Sequence, residues 1–290
     1  MKFLGFLILA AGLWAAASHA LGAAAEDRLP IFDTHVHYSR DAWSEYSPAR
    51  IEELFREAGV LRALVSSTPD DGTLKLFRHM PERVVPNLRP YRDGADLGSW
   101  SANQEVFDYV SERLTSGIYR GVGEFHLFDP LEARSRQVRG LVKLAVEKDL
   151  WLQVHSGAAP VRALYAIDPR VKILWAHLGM TEPADVVMEM MDSYPDMLSE
   201  TSFRGGEIGS GPDGIDPAWR EVMIKHADRI MIGSDTYVTP RWDEYASLVD
   251  EHRAWLSRLP DEVARKIAYR NAVRVFGPGR GTGFPPDSPD

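Results

Sequence analysis

The stretch Phe32–His37, FDTHVH, decides the architecture. It closes an apolar run that begins at Ile31, and it alternates as a strand does. Alternate residues of a strand face the same side, so Asp33, His35 and His37 share one face. An open doubly wound sheet would follow its first strand with a glycine-rich turn. Here the strand ends in two histidines instead. That points to a closed parallel barrel, where chemistry collects at the carboxyl ends of the strands.

Working outward, seven further β-rich runs follow: Leu61–Ser66, Val84–Arg89, Tyr119–His126, Trp151–His155, Lys172–His177, Met197–Phe203 and Ile230–Asp235. Helix signals separate them. Ser47-Pro48 reads as a cap with proline at the first helical position, and Gly59 stops that helix. Ser101 with Gln104 reads as a capping box, closed by Gly117. Val138, Leu141, Val142 and Ala145 share a helical face, as do Ala184, Val187, Met188 and Met191. Asp216-Pro217 opens another helix, and Pro240 to Val275 reads as two helices broken at Pro260. Eight strand–helix units predict an α/β fold, a single-domain (β/α)8 TIM barrel.

The ends read differently. Lys2, the apolar run Phe3–Ala17 and small residues to Ala25 predict a secretory signal peptide over 1–25. Cleavage between Leu21 and Glu26 would leave an exported, periplasmic or secreted protein. The run is short of the ~20 residues that span a bilayer. The barrel is expected over 26–276. Residues 277–290, GPGRGTGFPPDSPD, read as a flexible tail.

Composition narrows the chemistry. Among 290 residues there is no cysteine, which excludes thiolate metal sites, iron–sulfur clusters and cysteine nucleophiles. The formal net charge is −9, and losing Lys2 makes it −10. No basic stripe suits nucleic acid, so the expected partner is a small molecule, with no membrane after cleavage.

Of nine histidines, four stand at the ends of inferred strands: His35, His37, His155 and His177. Glu124 lies in the fourth strand and Asp235 ends the eighth. Imidazole and carboxylate suit zinc, manganese, iron or nickel. Zinc is the expected ion. His35 and His37 can grip one ion, Glu124 can bridge to a second, and His155 and His177 can complete it. Asp235 can ligate and accept a proton from bound water, whose pKa a divalent ion lowers to about 7. His126 faces the same way as Glu124, as a substrate-orienting group or an acid. Arg89 and Arg204 are candidates to clamp an anionic group. Trp43, Tyr46 and Tyr237 are candidates for a stacking wall, and Gly205 to Gly211 for a mobile lid. His79, His226 and His252 are expected to face solvent.

FDTHVH, GVGEFH, the two single histidines, IGSDT and the closing NAVRVFG together resemble the amidohydrolase superfamily, in its amidohydrolase-related (type 2) branch. The resemblance runs from Leu29 to Gly277. It implies a distorted barrel with a metal-dependent hydrolytic site, His35 and His37 as the paired ligands, His155 and His177 as the later ones, and Asp235 as ligand and proton shuttle. Many members carry a carboxylated lysine on strand four. Glu124 holds that place here, as in TatD-like nucleases, which leaves one or two ions open. The resemblance implies an ester, lactone or amide hydrolase. Decarboxylases or hydratases of aromatic or unsaturated acids, and a TatD-like phosphodiesterase, are the alternatives.

Overall fold

The computed structural model describes residues 28–285. The expected signal peptide, 1–25, and the last five residues lie outside that range. Eight parallel strands form one sheet in chain order: β1 (Ile31–Val36), β2 (Val60–Val65), β3 (Val84–Leu88), β4 (Gly121–His126), β5 (Trp151–His155), β6 (Lys172–Trp175), β7 (Leu198–Glu200) and β8 (Ile230–Met231). Nearly every strand residue is buried, the signature of parallel strands covered on both faces. The ring closes between β1 and β8. Asp33 bridges Ile232, the Thr34 N–H donates to Ile232 O at 2.8 Å, and the Asp235 N–H donates to His35 O at 2.7 Å. The fold is a (β/α)8 barrel.

Strands β6, β7 and β8 stop earlier than their apolar runs suggested. The chain turns out of the ladder just where its functional groups begin. His177, Phe203 and Asp235 all take positive φ, at 57°, 61° and 52°. Such angles are uncommon for residues with a side chain and gather at sites the surrounding fold over-determines.

Most helix signals act as read. Ser47 caps Pro48–Ala58, which ends on left-handed Gly59, and Asp216 caps Pro217–Lys225. In Arg136–Glu147 the four expected residues are the buried ones. In Ala184–Ser193, Ala184, Val187 and Met191 are buried as expected, but Met190 rather than Met188 completes the buried stripe. The helix Gln104–Arg113 is capped by Asn103, whose side chain accepts from the Glu105 N–H. Ser101 instead donates to Glu132 at 2.7 Å. The break at Pro260 separates Tyr245–Leu256 from Asp261–Arg265.

Residues 277–285, expected as the start of a flexible tail, lie against the body. Phe284 stacks on Phe32 and Tyr269, with centroids 5.9 and 5.5 Å away, and Thr282 is buried. The one aromatic residue of that segment finds an apolar partner at the amino end of β1.

His79 is partly exposed, bonded to Glu52, but His226 and His252 are buried. His252 donates from Nε2 to Gly233 O at 2.9 Å. Burial pulls its pKa from 6.5 to about 4, so the native ring is neutral. Below pH 6.5 the unfolded chain takes up a proton that the native chain refuses. The contribution is therefore full above pH 6.5 and is lost as pH falls toward 4, by about 3 kcal/mol in all. His252→Gln should flatten the fall in urea midpoint between pH 7 and pH 4.5. Parallel curves for variant and wild type would refute this.

Candidate metal centre

The face predicted for β1 is realised, and its three members divide the work. Asp33 is fully buried and satisfied. Its Oδ1 accepts from the His35 and Ser234 N–H groups, at 3.1 and 3.0 Å, and its Oδ2 accepts from Tyr245 Oη at 2.9 Å. It ties β1 to the chain after β8. Burial raises its pKa to about 6.

His35 and His37 point their Nε2 atoms at each other, 3.1 Å apart. Their Nδ1 atoms are spoken for. The His37 Nδ1–H donates to Ser66 O at 2.7 Å, and the His35 Nδ1–H donates to Glu200 Oε1 at 2.9 Å. A carbonyl can only accept, so this network assigns the Nδ1–H tautomer and leaves both Nε2 lone pairs facing inward. Glu124 Oε2 and Asp235 Oδ1 converge on the same point. From His37 Nε2 each is 3.2 Å away; from His35 Nε2 they are 3.5 and 3.6 Å away. Four donors, each bonded to one ion at 2.0–2.2 Å, would stand roughly 3.3–3.6 Å apart. The five edges that involve a histidine run from 3.1 to 3.6 Å. Asp235 Oδ1 is buried and makes no hydrogen bond within the protein. Four inward lone pairs with an orphaned carboxylate oxygen fit a divalent cation.

Glu124 turns its other oxygen to a second group. Oε1 lies 3.0 Å from His177 Nε2 and within hydrogen-bond contact of His155 Nδ1, and those two nitrogens are 3.0 Å apart. This second set has three donors. His177 is held from behind by Ser202 Oγ, 2.7 Å from its Nδ1. Glu124 thus stands between the two groups, as a bridging carboxylate must.

The electrostatics follow from this crowding. Burial disfavours an imidazolium, yet the charges of Asp235, Glu124 and Glu200 hold the His35 pKa well above the usual value. Burial opposes ionisation of Glu124 and Asp235 too, but the histidines hold both well below the carboxylate range. Without a metal these carboxylates favour protonation of His35, so a cation bound here would displace a proton.

The remaining candidates fall into place. Arg89 spends its charge on Glu124, donating from Nη2 to Oε2 at 3.0 Å and from Nε to the carbonyl at 3.2 Å. Arg204 donates to the carbonyls of Met180 and Glu182 and pairs with Glu207 at 3.0 Å. Both line the cleft, but their guanidinium groups brace the protein. His126 accepts at Nδ1 from Tyr91 Oη at 2.9 Å, and burial pushes its pKa down to about 3. At neutral pH it is an uncharged ring that can orient a ligand. Tyr237 is 52% exposed at the mouth. Trp43 and Tyr46 do not line the cleft. Tyr46 is buried beside Trp242, and Trp43 donates to Tyr38 O at 3.0 Å. Gly205–Ile208, within the expected lid, forms a short helical turn.

Glu200 escaped the sequence reading. It is wholly buried at the end of β7 and contacts two candidate ligands. The signal was there: an acidic residue inside the apolar run MLSETSF has no place in a barrel unless something pairs with it.

The cleft above the cluster encloses about 750 Å³ and reaches Glu124, His155, His177 and Asp235. That is the size of a small-molecule site.

The comparisons agree with this architecture. No curated protein matches the chain. A proposed 2-pyrone-4,6-dicarboxylic acid hydrolase from Pseudomonas putida superposes with a TM-score of 0.61 at 17% identity, covering 86% of this chain and 98% of that one. A similar protein from Acinetobacter baumannii, solved with citric acid bound, gives 0.60 at 12% identity over 86% and 99%. A TatD homologue from Escherichia coli gives 0.57 at 19% identity over 85% and 97%. These likenesses concern the fold. The family model described as Amidohydrolase matches residues 101–277, more than half of the sequence. The chain therefore belongs to the amidohydrolase family and is a metal-dependent hydrolase of that kind.

Proposed function

We propose that the protein is an exported hydrolase of small esters, lactones or amides that works with two zinc ions. The carrying observation is the four-donor cluster of His35, His37, Glu124 and Asp235, with its orphaned Asp235 oxygen. His155 and His177, with Glu124, would hold the second ion. The ions would supply Lewis acidity and acidify water. The chain supplies the rest. Asp235, ionised at neutral pH, is placed to accept a proton from the attacking water and return it to the leaving group. His126 offers an uncharged ring to orient the substrate. The neighbours named for 2-pyrone hydrolysis support a cyclic ester within the substrate range. Export rests on the leader-like first 25 residues. A nuclease would need a row of free cations along the cleft, and of the four arginines that line it Arg89, Arg92 and Arg204 are each paired, leaving Arg40 alone without an ion pair among the described residues.

One observation favours a second reading. Only the first group has four donors, and Arg89 already neutralises the shared Glu124. A one-ion decarboxylase or hydratase of an aromatic or unsaturated acid would use that group alone.

Elemental analysis of the mature protein should find two zinc equivalents per chain. Aryl esters or lactones should be hydrolysed, the activity lost to chelator and regained with zinc. One ion with carbon dioxide released from a benzoate-type acid would favour the second reading. Hydrolysis untouched by metal removal would defeat both.

A further inference from the structure

The chain after β7 and β8 builds an aromatic face beside the metal centre. Phe203 is 53% exposed although its ring centroid lies 5.7 Å from that of His177. Tyr237, 52% exposed, lies 5.8 Å from Phe203. Both line the cleft. An exposed aromatic side chain is ordinary on a surface, but this one is built in place. Phe203 sits in left-handed backbone, a conformation a benzyl side chain adopts only under constraint. Behind it the Arg241 guanidinium lies 4.3 Å from the ring centroid. Arg241 in turn donates to Asp235 O and Ser234 O, each at 2.7 Å. The ring is thus propped on a cation that is itself tied to the backbone of a candidate ligand. Strained backbone and a fixed prop that leave an apolar ring in water cost stability, and they gather where a ligand repays the cost.

The occupant follows from the surroundings. A cleft of about 750 Å³ admits a small molecule and no macromolecule. The two arginines on this side, Arg204 and Arg241, both bind main-chain carbonyls. The arginines beside Phe203 therefore leave it π surface and no unspent cation; Arg40, which lines the cleft on the chain after β1, is the lining arginine without an ion pair among the described residues. We propose that Phe203, with Tyr237, forms a subsite for an uncharged planar ring adjacent to the scissile bond of the substrate. This rests on the hydrolase reading above and adds a substrate class and a specificity-determining residue.

The test pairs turnover with binding. Phenyl acetate places a ring on the leaving side, methyl benzoate on the acyl side, and ethyl acetate carries none. In the zinc-loaded protein, Phe203→Ala should lower the ratio of kcat/KM for an aryl ester over ethyl acetate about tenfold, the worth of one ring contact. Phe203→Gly should do the same while relieving the backbone, so misfolding cannot account for the loss. Phe203→Tyr should restore the ratio. Whichever aryl ester carries the effect shows the side on which the ring sits. Calorimetry with benzyl alcohol, which has no bond to hydrolyse, should show binding to the wild type that weakens about tenfold in both ring-less variants. An unchanged ratio, undiminished benzyl alcohol binding, or better turnover of 4-carboxyphenyl acetate than of phenyl acetate would overturn the subsite. Phe203-dependent binding with no hydrolysis of any ester would uphold the subsite and defeat the hydrolase reading.

Discussion

Replacing His35 and His37 together with alanine is expected to remove the bound metal and to cut turnover by roughly a thousandfold or more. The size follows from what the pair supplies. Metal polarisation stabilises the transition state by several kcal/mol, and each ~1.4 kcal/mol is a factor of ten in rate. The two Nε2 lone pairs, 3.1 Å apart, are half of the four-donor set. Without them Glu124 and Asp235 face each other with Arg89, His155 and His177 left to offset the charge. Both side chains are fully buried, so alanine also opens space beneath the cleft. Circular dichroism should accompany the assay. His37→Gln is the gentler control: Gln can place one polar atom near Ser66 O but cannot restore an imidazole lone pair. Elemental analysis and turnover should fall together in both. Full metal content with full turnover in the double variant would remove the site assignment altogether.

Much of this was legible because it is local. β5 matches its apolar run to the residue, Trp151–His155, and the alternation in FDTHVH puts Asp33, His35 and His37 on one face without any tertiary knowledge. Glu124 and Asp235 were legible as carboxylates at strand ends. What the sequence hid was mostly partnership. Nothing local says that Arg89 turns to Glu124 or that Arg204 turns to the carbonyls of Met180 and Glu182. Nothing local says that His252 is buried against Gly233, across 19 residues of chain. The aromatic wall was anticipated from Tyr237, but its partner is Phe203, not Trp43 or Tyr46. Only the left-handed turn after β7 brings that ring over the cleft, and apolar periodicity carries no sign of φ.

Glu200 is the sharpest case of hidden partnership, and its loss should cost nearly as much. Its Oε1 accepts from His35 Nδ1 at 2.9 Å, from the His177 N–H at 2.7 Å and from Ser202 Oγ at 3.0 Å; its Oε2 accepts from the Ser202 N–H at 2.7 Å. Burial opposes its ionisation, but the neighbouring His35 and these donors bring its pKa to about 2. It therefore fixes the tautomer of one ligand and the backbone of another. Glu200→Leu would strand buried donors around an apolar side chain, and removing one partner of a buried pair costs about 3–5 kcal/mol. That should show as a lower urea midpoint. Glu200→Gln keeps the shape and one acceptor oxygen, so it should fold, but zinc affinity should drop about 10- to 100-fold, as for other groups that orient a ligating histidine. Competition with a chromophoric chelator measures this without any substrate. Gly233→Ala reaches the same carboxylate by another route. A Cβ there would stand 2.0 Å from Glu200 Oε2 and 2.8 Å from His35 Cβ, so it displaces the carboxylate and crowds the histidine it holds although no polar atom is removed. If Glu200 acts by holding His35 and His177 in place, both variants should weaken zinc binding. If zinc affinity is unchanged in Glu200→Gln, the buried carboxylate serves the fold alone.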